Sequence, residues 1–199
     1  RDPEMSRGLG DVYKRQRLIH SLQNCISMPS HYNYITHYSR IYGNIPLWVA
    51  MNAVTFGQLS AFYQYMPNDI QVKVSKHFSG YTEKQLHQFI TIIAKCRNVC
   101  AHGERLYDFR TQDTIPDTLL HQKLSIPLKK GNYTLGKHDL FAVVLSLRYL
   151  ISNDDFKSFK GSLIQLIKKA RKQCPHLTQA QLAVSYTHLR AHETSQDLV

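Results

Sequence analysis

Cysteine is scarce in this chain of 199 residues, with four at Cys25, Cys96, Cys100 and Cys174. They are too few and too scattered for a disulfide-stapled secreted module, so a reduced, cytoplasmic protein is the expectation. Long apolar runs are missing as well. Mean hydropathy is −0.35, and no stretch approaches the roughly 18 uninterrupted apolar residues of a membrane span. No membrane partner is therefore expected. The N-terminus carries no apolar core of a secretory signal. Acidic residues are sparse: 14 Asp plus Glu against 25 Lys plus Arg give a net charge of +11, with a pI near 9.6. What is there is a globular composition, 43% apolar and 20% charged. A balance this basic fits a polyanionic partner (RNA, DNA or an anionic membrane surface), with nucleic acid the leading class. The plainer reading is a solvated positive face.

The two ends differ from the middle. Residues 1–16 (RDPEMSRGLGDVYKRQ) and 184–199 (VSYTHLRAHETSQDLV) show no apolar periodicity. VYKRQ and YTHLRAHET resemble sequencing-adapter DNA translated in frame, and are set aside as tags would be. The ends hold five basic and five acidic residues, so 17–183 keeps 20 basic and 9 acidic, still +11. The basic character belongs to the middle, read as one domain over 17–183 and as a truncated piece of a longer protein. His188 and His192 drop out as site candidates.

Helical patterns dominate the middle. Residues 17–28 place Leu18, Leu22, Cys25 and Ile26 on one stripe, ended by Pro29. Residues 30–45 read as a loop or short helix. Pro46 fits a first helical position, followed by an almost continuous apolar run to Met66 in which Gly57 would either kink the helix or allow a close helix contact. A short helix from Asn68 or Asp69 reaches about His77. Thr82 and Gln85 fit a capping box. The helix after them carries Leu86, Phe89, Ile90, Ile93, Ala94 and Cys100 or Ala101 inward, and stops at Gly103. Residues 104–137 read as mostly irregular, with a short helix over 117–124 and no hairpin signal. Helices follow over 138–152 and 154–173, the second with Phe156, Phe159, Leu163, Leu166 and Ile167 inward. The fold class is all-α.

The densest polar cluster closes the capped helix: Arg97-Asn98-Val99-Cys100-Ala101-His102-Gly103-Glu104-Arg105. At about 100° per residue, Arg97 and His102 lie about 140° apart around the axis and about 7.5 Å along it. Asn98 and His102 are four apart and share a face. A guanidinium fork, an amide and an imidazole at one helix end can converge on one phosphodiester. The imidazole is the group suited to moving a proton near neutral pH. Residue types alone favour the simpler reading, basic side chains complementing a helix C-terminus.

Arg97-Asn98-Val99-Cys100-Ala101-His102 resembles the Arg-x4-His signature of HEPN domains, which are all-α and often ribonucleases. Pro46-Leu47-Trp48-Val49, Thr55 to Ser60 (TFGQLS), the Arg97 to His102 block and Arg105-Leu106-Tyr107 together resemble the Abi-like (abortive infection) family of bacterial phage-resistance proteins. The resemblance implies a HEPN-like helical bundle. It also implies a metal-independent endoribonuclease with no cofactor, in which the ribose 2′-hydroxyl attacks the adjacent phosphate. His102 would then be the general acid or base, Arg97 would stabilise charge on the phosphate, and Asn98 would orient one or the other. A single motif per chain implies a homodimer with a shared site. An antitoxin RNA or protein would restrain such a toxin. The alternatives are a non-catalytic RNA-binding or regulatory module and a subunit that holds a separate toxin inactive.

Other residues carry weaker chemistry. Lys168, Lys169, Arg171 and Lys172, with Arg105, form the candidate phosphate-tracking set. The competing reading is a solvated helix end for the four, and a local pair with Glu104 for Arg105. Cys96, Cys100 and His102 would need a fourth ligand to hold zinc, and the spacing supplies none. Buried core thiols are the better reading, and no metal site is expected. Trp48, Phe56, Phe62, Tyr63 and Tyr65 could stack bases, but at helical spacing they read as core. His31, His37 and Tyr38 could line the same cleft as the motif. No Gly-rich phosphate loop or Gly-x-Ser-x-Gly elbow is present.

Overall fold

A computed structural model describes residues 3–27, 32–78 and 81–174. Residues 175–183 and the adapter-like end 184–199 lie outside the described residues. The fold is all-α: among the described residues nine α-helices stand beside one two-stranded hairpin. Among the described residues no helix is long and apolar enough to cross a membrane. The chain divides into two compact units, 1–71 and 72–199.

The first unit opens with α1 (Pro3–Ser27), ending close to Pro29 as expected. The helix takes in residues from Pro3 onward of the segment whose apolar positions show no period. Val12 and Tyr13 there are exposed and Leu18 is buried. α2 (Asn33–Tyr42) follows, closed by Gly43, whose N–H donates to the Ser39 carbonyl.

The apolar run after Pro46 is not one kinked helix. Pro46 itself is the N-cap, α3 spans Leu47–Ala50, a 3-10 turn covers Met51–Ala53, and α4 spans Phe56–Tyr65. The break falls at Val54-Thr55 because Thr55 and Gln58 form a capping box. Gln58 N–H donates to Thr55 Oγ1 at 3.2 Å and Thr55 N–H to Gln58 Oε1 at 2.7 Å. α1 packs on α3 and α4, and α2 on α3. Leu18, Ile35, Val49, Ala50 and Tyr63 are buried. α5 (Asn68–Ser75) begins beyond Pro67, and the Gln71 amide reaches back to the Tyr63 and Gln64 carbonyls, both at 2.9 Å, satisfying the open end of α4.

The second unit is built on α6 (Glu83–Ala101) and α8 (Leu140–Leu150), which pack along each other. The expected capping box is present: Gln85 N–H donates to Thr82 Oγ1 and Thr82 N–H to Gln85 Oε1. The buried positions of α6 are Leu86, Phe89, Ile92, Ala94 and Cys96. Ile92 and Cys96 replace the expected Ile90 and Cys100, so the stripe lies slightly further round the helix. Cys100 and Ala101 are exposed. α8 starts at the Asp139 cap and is buried continuously from Leu140 to Ser146.

α7 (Leu119–Lys123) is the expected short helix in 104–137. The hairpin was not expected. Strands β1 (Leu128–Lys129) and β2 (Asn132–Tyr133) pair antiparallel across Lys130-Gly131, both with positive φ, the primed turn that suits a two-residue connection. Lys-Gly lacks the Asn or Asp that usually marks such turns. α9 (Asn153–Gln173) is capped by Ser152. Phe156 is buried, but Leu166, expected inward, is exposed. Phe159 and Leu163, nearer the start of α9, pack on the core.

Candidate functional site

The rotation of α6 decides where its last turn points. Ile92 and Cys96 face the core, so Arg97 and Asn98 are turned roughly 100° and 200° away from Cys96. Both are exposed, and so is His102. The helix ends as the sequence indicated. His102 is the C-cap, and its N–H donates to the Asn98 carbonyl at 3.0 Å. Gly103 takes a φ of +68°. Its N–H donates to the Cys100 carbonyl at 3.2 Å, and the Glu104 N–H donates to the Val99 carbonyl at 3.0 Å. That pair of bonds is a Schellman motif, which fixes the direction of the chain as it leaves the helix.

The loop beyond is tethered at both ends. The Schellman bonds hold Gly103 and Glu104. A 3-10 turn over Leu106–Asp108 packs against α6 and α8, and Phe109 is buried. Arg105 is exposed between these anchors. Lys95, two residues before Arg97, pairs with Asp113, which also accepts from the Thr111 hydroxyl at 3.3 Å. Sequence reading missed this clamp, since nothing in the spacing links residues 18 apart. The Asp-rich character of the segment after Tyr107 was the available signal.

Arg97 Nη1 donates to Asn98 Oδ1 at 3.5 Å, a long contact that nevertheless turns the amide oxygen toward the guanidinium. The amide nitrogen is then left as the donor of Asn98. Arg97, Asn98 and His102 thus share one exposed helix end, and Arg105 follows on the tethered loop. Lys168, Lys169 and Lys172 are exposed on α9, a separate helix. The Arg171 side chain lies outside the described residues.

Cys96 is buried, with its thiol pushed up to about 12, first by burial and then by neighbouring Cys100. It is a core thiol, as expected, whereas Cys100 is exposed. Among the described residues no group of three or more His, Cys, Asp or Glu is placed to hold a metal ion. One other expectation changes. Trp48, read as core, is exposed, because the short α3 buries Val49 and Ala50 instead. His31 lies outside the described residues, and His37 and Tyr38 belong to the first unit. A surface hollow of about 420 Å³ lies along α1, lined by Tyr13, Arg17 and His20 among others, and contains none of the expected site residues.

A family model described as Abi-like protein matches residues 4–108. The match covers more than half of the chain and closes just past the Arg97–His102 helix end. The chain belongs to the Abi-like protein family. The Abi-like stretch begins within the N-terminal segment set aside as adapter-like and takes in α1 to α6. No curated protein and no solved structure matches the chain.

Proposed function

We propose that this Abi-like protein is a metal-independent endoribonuclease of the HEPN type, acting as a toxin in abortive-infection defence against phage. The observation that carries the reading is the exposed set Arg97, Asn98 and His102, presented together where a Schellman motif ends α6. The basic charge of the chain supports RNA as substrate.

The chemistry assigned to these groups is transesterification. The ribose 2′-oxygen bonds to phosphorus while the bond from phosphorus to the leaving 5′-oxygen breaks. One base takes the 2′-hydroxyl proton and one acid protonates the leaving oxygen, giving a 2′,3′-cyclic phosphate and a 5′-hydroxyl. The Arg97 fork offers two N–H donors to the non-bridging oxygens, whose charge grows in the transition state. The Asn98 amide nitrogen supplies a further donor, and His102 carries the proton. One imidazole does not easily serve both sides of an in-line displacement at once. A second copy of the chain supplies the other, so the active form is a homodimer with a shared site. Arg105 and the Lys168, Lys169, Arg171 and Lys172 group track the flanking phosphates. An antitoxin RNA or protein keeps the toxin silent until infection.

The test is incubation of the purified chain with RNA in excess EDTA. Cleavage at an undiminished rate is the expected result. RNA left intact by a well-folded preparation contradicts the reading, and a salt-dependent complex without cleavage favours the non-catalytic RNA-binding module instead.

A further inference from the structure

Large rings are usually buried, yet the first unit leaves two of its largest in solvent: Tyr42 is 65% exposed and Trp48 is 63% exposed. They belong to one cluster. Tyr38 sits between them, its ring 5.5 Å from that of Tyr42 and 5.6 Å from that of Trp48, the latter edge to face at 85°. His37 adds edge contacts to Tyr38 and Tyr42. The cluster is built by backbone signals. Gly43 ends α2 just after Tyr42, and Pro46 caps α3 two residues before Trp48. The half-buried Tyr38 then holds both outer rings in place. Rings fixed by neighbouring rings lose little freedom on binding a flat partner.

Charge selects the partner. From Arg17 to Asn68 the chain contains no aspartate or glutamate. Arg17 and Arg40 are exposed in the same stretch. A contact between two protein copies gains nothing from this one-sided charge, since each copy would present cations to the other. A phosphate backbone meets no carboxylate anywhere in the stretch, and Arg40 stands two residues before Tyr42 on α2.

We propose that Tyr42 and Trp48, braced by Tyr38, form a stacking platform for the bases of single-stranded RNA, separate from the groups that cleave it. This rests on the reading that the protein acts on RNA, and it names the substrate form: unpaired, because stacked bases inside a duplex offer no free face.

Trp48 is the sole tryptophan of the chain, so its emission reports on the platform directly. The full-length protein is titrated with a 2′-O-methyl oligouridine of about 12 nucleotides, within the span of known single-strand sites. That probe lacks the attacking hydroxyl and survives the nuclease. The expected result is quenching of Trp48 emission, absent with a duplex probe of the same length. Affinity by fluorescence anisotropy of the labelled probe should fall about tenfold or more in the Trp48→Ala, Tyr42→Ala double variant, and little in Trp48→Phe, which keeps a ring. Both rings are exposed, and an unchanged thermal melt confirms that the variants fold. A probe that binds without quenching, and equally well to the double variant, overturns the platform. So does a double variant that loses self-association but keeps RNA affinity, which would make the patch a contact between copies. Cleavage of unmodified RNA by the wild type is scored separately. Cleavage without ring dependence leaves the ribonuclease standing and removes the platform. Quenching without cleavage does the reverse.

Discussion

Two residues in the loop region of the second unit carry the most testable chemistry outside the site. His121 is fully buried. Its Nδ1 accepts from the Thr118 N–H at 3.1 Å, so its Nε2–H donates to the Gly136 carbonyl at 2.9 Å. That arrangement needs a neutral ring, and burial lowers its pKa below the usual histidine value of 6.5. A lowered folded-state pKa means that the unfolded chain takes up the proton first. The stabilisation is therefore complete above about pH 6.5 and is lost as pH falls from there through the folded pKa. Melting temperature should drop on acidification from neutral pH, and His121→Gln should flatten that dependence. An equally steep slope in the variant would place the sensitive group elsewhere. Gly136 is the second residue. Its φ is +78°, and an added Cβ would stand 2.8 Å from Leu145 Cδ1 and 3.1 Å from His121 Nε2. Gly136→Ala should cost about 2 kcal/mol or more, combining left-handed strain and overpacking. Gly103 has a similar φ but open space around it. Gly103→Ala should cost about 1 kcal/mol from the backbone alone, and denaturant melts of the two variants give the comparison. None of these contacts was legible in the sequence, where His121 falls in the expected short helix and Gly136 lies 15 residues on in an irregular stretch.

Elements with local signals were legible and those decided by tertiary contact were not. The Thr82 and Gln85 capping box and the Gly103 stop are encoded within four residues, and both ends of α6 fell where they indicated. The same box at Thr55 and Gln58 sits inside an almost continuous apolar run, whose pattern hides the break. Thr55→Ala or Thr82→Ala should each cost about 1 kcal/mol in a denaturant melt, as loss of an N-cap hydroxyl does. A negligible change at Thr55 would mean that Pro46 and packing alone set the α3 to α4 break. The hairpin was missed because Lys130 stands in a turn position that Asn or Asp usually fills. Leu166 and Trp48 were assigned inward from periodicity, which gives the face of a helix but not how far along it a partner extends. The site helix end was legible for the opposite reason: Arg97, Asn98 and His102 follow the rotation that the α6 core stripe imposes, and a helix end needs no long-range contact to expose them.

At the scale of the whole molecule, one copy presents one Arg97, one Asn98 and one His102 on an open surface. A shared site makes activity depend on association. Cleavage per unit of protein should rise with concentration and level off as the dimer fills, and sedimentation over the same range should show the same midpoint. A strictly monomeric protein that cleaves at a rate independent of its concentration would contradict the shared site without touching the assignment of the residues. On the proposed reading, in which Arg105, Lys168, Lys169, Arg171 and Lys172 displace counterions from phosphates, salt should weaken cleavage. The most direct measurement compares the wild-type chain with His102→Ala on the same RNA in EDTA, with the 3′ ends of the fragments identified by mass spectrometry. His102 is exposed at a helix cap, so the variant should fold. The expected result is 2′,3′-cyclic phosphate ends from the wild type and their loss, by a factor of about 100 or more, from His102→Ala. Fragments of the same kind in the same amount from both would remove His102 from the chemistry and the proposed ribonuclease site with it.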